Sequence, residues 1–402
     1  RTNDVAGSAE LQFGFNANST GILEITSGEA RVRAMTLGLN GGNHGEVWLS
    51  GGRLEAGAVT KGGGTGIFFF DGGTLRASQT NLDWLGSGLP VRITGNGAIV
   101  DTAGFDVGIQ RHLVNSNGPG GLSVYGGGQL TLTAGTGNTY AGDTVVSNAT
   151  LRLGANSSIP NGAGFGNVLL LEGATLDLGG FGDTINGLNG GGTIDNTLDV
   201  GSYTLTVGDN NQSGVFTGGI HNTSGTLILT KTGAGTLVLG ASNSYDGVTT
   251  VNGGILVITH GHALGSTAGG TTVGNNLRLV LQGGITVDGE AITISGTGGD
   301  SLGALRATNG VSTWTGPVTL GADMTRIAAV GGGLNVDGAI GDGGNGYGLR
   351  IRNPNGDASV IRLSGANTYG GRTEIWQGIV RLAGGDDRLP PAQSVLFGYQ
   401  DR

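Results

Sequence analysis

The chain has 402 residues, of which 88 are glycine and 7 proline, with 37% hydrophobic residues, 12% charged residues and a formal net charge of −9. Glycine without a three-residue period excludes a collagen triple helix, and the apolar share is too high for a disordered chain. An acidic balance without any basic run argues against nucleic acid or an anionic membrane as partner, and the absence of cysteine excludes disulfides and thiolate metal sites.

Few ten-residue windows lack glycine, so long helices are not expected. No apolar run approaches the ~18 residues of a spanning helix, which argues against membrane insertion by this segment. The chain opens on Arg1 without a signal-like stretch, so a processed or truncated product is expected.

In chain order, the first recurring pattern is a short strand, a glycine turn and a second strand. It appears as GILEITSGEARV at 21–32, EVWLSGGRLEA at 46–56 and IFFFDGGTLRA at 67–77, with turns near Gly28, Gly51 and Gly72. The same form returns as VLLLEGATLDL at 168–178 and LRLVLQGGITV at 277–287. Alternation of apolar and polar residues between φ-tolerant turns predicts strands, and a period of roughly 21–23 residues predicts stacked units that cannot bury their apolar faces alone. About 18 such rungs at ~4.8 Å each would give a rod on the order of 85 Å long.

A longer motif occurs three times, at 128–155, 231–258 and 358–385. The copies align on Tyr140, Tyr245 and Tyr369. Asn138, Asn243 and Asn367 stand two residues before the tyrosines, and Gly142, Gly247 and Gly371 two after. Thr144/Val146, Thr249/Val251 and Thr373/Ile375 follow on one strand face, with Val145, Thr250 and Glu374 facing out. Leu151/Leu153, Leu256/Ile258 and Val380/Leu382 supply the next inward pair. The first copy has two extra residues between Leu132 and Tyr140, where a bulge is expected. The asparagines are expected to form amide ladders, and the glycines to supply positive-φ corners. The fold expected is all-β, a right-handed parallel β-helix of about 18 rungs, since crossovers between parallel strands are almost always right-handed.

These residues resemble the autotransporter-associated β-strand repeat of passenger regions and large bacterial surface proteins. Its Lys-Thr-Gly-x-Gly, Asn-x-Tyr-x-Gly and Ala-Leu-Gly elements stand at 231–235, 243–247 and 263–265. Segments 95–107 and 312–325 are similar to its connecting rungs. The resemblance covers residues 85–402, while 1–84 share only the generic rung pattern; a single continuous solenoid over 1–402 is expected. It implies an exported, extracellular or cell-surface stalk, adhesin or fibre rather than a catalyst, and no catalytic residue, metal or cofactor is carried over. The family's membrane β-barrel has no counterpart in this sequence, whose final SVLFGYQDR at 394–402 is similar to the start of another rung.

Chemistry is weighed against this reading. Asp386-Asp387, followed by Arg388, Pro390 and Pro391, is the only paired acid and fits a solvated loop better than a glycosidase dyad. His260 and His262 fall in a loop that tolerates polar residues, and Asp342-Gly-Gly-Asn-Gly is a lone calcium-like turn without the tandem repeats of a calcium roll. Phe68, Phe69 and Phe70 cannot all face inward, because successive side chains alternate. Trp376 stands where the other copies carry Ser147 and Asn252, a turn position expected to be exposed. These four aromatics are the candidate partner or glycan contacts. Self-association or continuation into further rungs is expected through unpaired terminal strands, with a glycan or host surface as candidate ligand. A polysaccharide-binding or polysaccharide-degrading β-helix is the alternative.

Overall fold

A computed structural model describes residues 9–14, 16–354, 357–386, 388–390 and 393–398. Every regular element among them is a strand. The chain is all-β and winds as a parallel β-solenoid of about 17 turns. No helix among the described residues is long and apolar enough to cross a membrane. The described residues fall into two compact units, one up to residue 203 together with 223–225, the other 204–222 together with 226–402.

In the first unit a turn of the solenoid supplies three strands, for example Thr20–Ile25, Glu29–Val32 and Ala34–Leu37. Each pairs in parallel with its counterpart one turn on: Thr20 with His44, Glu29 with Arg53, Met35 with Val59. Period-2 alternation then sends every second side chain inward. Leu54, Leu75, Val100, Val124, Val146 and Leu170 stack in one column, and all six are buried. Burying each contributes up to about 2 kcal/mol. A one-residue slip would turn a whole column outward, so the apolar pattern fixes the register.

The outward face of the same sheet carries a ladder of charges. Arg53 lies 2.9 Å from Glu29, Arg76 lies 3.3 Å from Glu55, and Arg76 lies 2.6 Å from Asp101. The arginines remain about a third exposed, which keeps each pair individually weak. Alternating signs in neighbouring turns do, however, penalise a shifted pairing.

The second unit is built likewise. Leu237, Leu256, Leu279, Leu305 and Ile327 form one buried column, and Val251, Val273, Ile294 and Leu320 another. Two strands here, Leu305–Trp314 and Thr325–Val336, run past a corner without breaking and pair from Leu305–Ile327 to Trp314–Val336.

Candidate functional site

The three motif copies each build the same small constellation. The Asn138 carboxamide accepts the Leu113 N–H at 2.7 Å and donates to the Ser158 carbonyl at 2.7 Å. Asn243 accepts from Ile220 N–H at 2.9 Å and donates to Ala263 O at 2.6 Å; Asn367 accepts from Ile340 N–H at 2.8 Å and donates to Arg388 O at 2.6 Å. Each side chain therefore joins the backbone of the turn before it to that of the turn after it. The expected amide ladder is replaced by a clamp, because the copies are several turns apart and no asparagine of the set meets another.

The tyrosines lie in the core, each with its hydroxyl on a buried threonine four residues on: Tyr140–Thr144 at 2.7 Å, Tyr245–Thr249 at 2.6 Å and Tyr369–Thr373 at 2.5 Å. Burial raises all three phenols, that of Tyr369 to about 12. They are packing groups with a satisfied polar end. Lys231, which opens the Lys-Thr-Gly element, is also buried. Its ammonium donates to the carbonyls of Thr232, of Gly233 at 3.0 Å and of Gly253 at 3.2 Å, and burial lowers it to about 8.

Glycine does supply positive-φ corners in the motif, at Gly233 and Gly254 of the second copy, but not at the position two after each tyrosine. Gly142, Gly247 and Gly371 are not among the positive-φ residues. A Cβ at Gly247 would lie 2.1 Å from the Leu227 carbonyl oxygen, and one at Gly142 2.3 Å from that of Pro119. They serve close approach of successive turns, whereas left-handed corners fall to other residues such as Gly254, with φ +60°. In the first copy the extra residues make a turn at Gly135 rather than a bulge in a strand. In the third, Leu382 pairs with Leu363 yet is exposed, contrary to its expected place in the wall.

Among the candidate contact aromatics, Phe68 and Phe70 are buried and meet edge to face. Phe69 lies on the outward side, stacked on Trp48 with ring centroids 3.8 Å apart and planes 9° off parallel. The Trp48 indole N–H donates to Glu46 at 3.0 Å, and the other Glu46 oxygen is 2.8 Å from His44 Nε2. The result is a half-buried aromatic step with a carboxylate beside it.

Trp376 is not in an exposed turn. It belongs to the strand Thr373–Gln377 and is half-buried. Arg350 lies over its ring at 3.9 Å from the centroid, with Arg326 at 4.8 Å and Arg352 at 5.7 Å. Glu374, expected to face solvent, is fully buried: it accepts from Arg350 at 2.7 Å, Arg372 at 2.7 Å and the Trp376 indole at 2.9 Å. Burial alone would raise this carboxyl; the Arg350 and Arg372 hydrogen bonds hold it below its usual value.

The remaining candidates gather no chemistry. His260 Nδ1 accepts the His262 backbone N–H at 3.1 Å, and no group of three potential metal ligands occurs among the described residues. Asp342 turns onto the N–H groups of Gly344, Tyr347 and Gly370 at 2.8–3.0 Å. Asp386 is exposed, Arg388 donates to the carbonyls of Ala383 and Gly384, and Asp387 and Pro391 lie outside the described residues.

One feature of the first unit had no signal in the sequence. A cavity of about 380 Å³ opens on the outward side of the sheet containing Gln129–Leu132 and Thr150–Leu153, with Gln129, Thr131, Thr133 and Gly154 among its lining and Leu82 and Phe181 beside them. Its lining comes from several successive turns, around Leu82, Gln129, Gly154 and Phe181, which meet only through stacking.

The three motif copies coincide with the matches of the Passenger-associated-transport-repeat family, at residues 124–153, 229–258 and 358–382. A curated relative, the "Adhesin BmaC autotransporter" of Brucella suis biovar 1 (strain 1330), is 34% identical over 197 residues. The match spans 46% of this chain and 6% of that protein. No solved structure matches.

Proposed function

We propose that this chain, an autotransporter-passenger β-repeat protein, acts as a non-catalytic adhesive rod exported to the bacterial cell surface. The observation that carries the reading is the fate of the polar motif. The motif asparagines and tyrosines, like the Lys231 ammonium, bond within the scaffold. Outward positions, by contrast, differ from turn to turn. Trp48–Phe69 and the Trp376 cluster supply the adhesive contacts, and the relative's name as an adhesin supports the same role. Stacking of copies end to end extends the same geometry.

The test is display of the chain on a non-adherent bacterium, followed by counting cells retained on host-cell monolayers. Retention that falls with Phe69→Ala or Trp376→Ala at equal surface display is expected. Retention no higher than that of the undecorated bacterium would overturn the adhesive role. Turnover of a polysaccharide by the purified chain would overturn the non-catalytic one. Sedimentation of the purified chain across a concentration series tests stacking, which fails if only single chains are seen.

A further inference from the structure

The second unit carries a concentration of positive charge at odds with the net acidity of the chain. Parallel pairing places Arg326 beside Arg350, and Arg350 beside Glu374. Arg352, two residues along the same outward face, and Arg372 complete a set of four guanidinium groups around one indole and one carboxylate. Glu374 is shared by Arg350 and Arg372 and is itself fully buried. Arg352 has no carboxylate partner among the described residues. The acids on adjoining turns are engaged elsewhere: Asp323 accepts the Gly348 N–H at 2.8 Å, and Asp342 those of Gly370 and Tyr347.

Lower on the same sheet, Arg278 and Arg306 share the single carboxylate of Asp300 at 2.5 and 2.8 Å. Arg306 pairs with Ala328, two residues beyond Arg326. Arginines thus occur on four successive strands of the sheet, with Arg326 and Arg350 in register and the others offset by two residues, and each cluster holds one carboxylate. Guanidinium groups held by stacking on an indole are pre-oriented, so little freedom is lost when they engage a planar anionic group.

We propose that this face binds an anionic glycan, with Arg352 and Arg372 engaging its carboxylate or sulfate groups and Trp376 forming the floor. The proposal rests on the adhesive reading and names the ligand class for one of its contacts. A carboxylated or sulfated sugar polymer presents anions at intervals along an extended strand, as the arginines are presented along the sheet. Planar, forked recognition of such groups is what arginine supplies and lysine does not.

The test uses the full chain, with heparin and polygalacturonate as anionic probes and dextran as the neutral one. Binding to at least one anionic probe, absent on dextran and weakening as salt rises from about 0.05 to about 0.5 M, is expected. Arg352→Gln and Arg372→Gln together should weaken it about tenfold or more, since each removes a charge-assisted hydrogen bond. Arg31→Gln, on an exposed ion pair of the first unit, should leave it unchanged. Circular dichroism and unfolding midpoints report whether each variant is folded. If the double variant perturbs folding, Arg352→Lys alone, which keeps the charge and removes the fork, should still weaken binding.

Wild-type chain that binds neither anionic probe, or folded variants that bind as tightly as wild type, would overturn the proposal. So would equal affinity for duplex DNA or phosphatidylglycerol vesicles. If displayed cells still adhere while these variants have no effect, the ligand assignment fails and the adhesive reading stands. If no adhesion occurs although heparin or polygalacturonate binds through Arg352 and Arg372, the reverse holds.

Discussion

Replacing Asn243 by alanine should remove two interactions with buried backbone. Ile220 and Ala263 are both fully buried, and the Asn243 carboxamide is the side-chain partner of the Ile220 N–H at 2.9 Å and the Ala263 carbonyl at 2.6 Å. Leaving a buried donor or acceptor without a partner costs about 1–3 kcal/mol, so Asn243→Ala should destabilise by about 2–6 kcal/mol. Aspartate separates the two halves of the clamp. Its carboxylate still accepts from Ile220 but repels the Ala263 carbonyl, while its protonated form donates to that oxygen. The folded state therefore raises the pKa of the new carboxyl. The sign follows: stability of Asn243→Asp is greatest below the unfolded value near 3.9 and is lost as pH rises through the folded value. Urea unfolding at about pH 4.5 and about pH 8 should show the aspartate variant losing ground to wild type at the higher pH. Hydrogen exchange should show Ile220 deprotected in the alanine variant and protected in the aspartate one. An alanine variant within about 0.5 kcal/mol of wild type, with Ile220 still protected, would refute the clamp.

Two further perturbations separate causes that look alike in sequence. Gly247→Ala drives a Cβ to within 2.1 Å of a backbone oxygen and should cost about 3 kcal/mol or more, whereas Gly28→Ala, with φ +74° and open space around it, should cost about 1 kcal/mol; equal shifts in unfolding midpoint would contradict this. Asp183 is buried, accepts the Ser158 and Ile159 N–H groups at 2.9 and 3.1 Å, and has its other oxygen without a partner. Burial pushes its carboxyl up to about 7. The folded state thus favours the proton, and about 4 kcal/mol of stability present below the unfolded value should be lost by about pH 8. Asp183→Asn should flatten that dependence, and an unchanged slope in a pH series of urea midpoints counts against it.

Strand faces were legible in the sequence wherever apolar residues alternate: Leu237 and Leu239 point inward, as do Leu256 and Ile258. The same logic required one of the three consecutive phenylalanines to face out, and Phe69 does. Roles that depend on a residue one turn away were not legible. The partners of Asn138, Asn243 and Asn367 are backbone groups about 20–27 residues distant, and a backbone carbonyl leaves no residue signature. The motif glycines failed for a related reason: positive φ and close approach select the same residue, and only the neighbouring turn distinguishes them. Trp376 aligns with Ser147 and Asn252, which follow the ends of their strands, but its own strand runs on to Gln377 with a register shift between Ile351 and Arg352.

Stacking changes how outward residues should be read. In a sheet where each strand meets its equivalent from the next turn, chemistry is set along columns. Glu374 looks like an exposed acid beside Ile375, yet its register partner is Arg350, and that pairing draws it into full burial. Arg152 looks like a solvated cation between Leu151 and Leu153, yet it pairs with Asp177 in the next turn at 2.7 Å. Net charge is equally blind to columns. Sequence-wide acidity argues against anionic ligands, while Arg326 of one turn and Arg350 and Arg352 of the next converge on the indole of Trp376. An insertion that lengthens one turn by a residue should therefore change surface chemistry more than any single outward replacement, because it shifts the column partners of that turn while the inward stack resists.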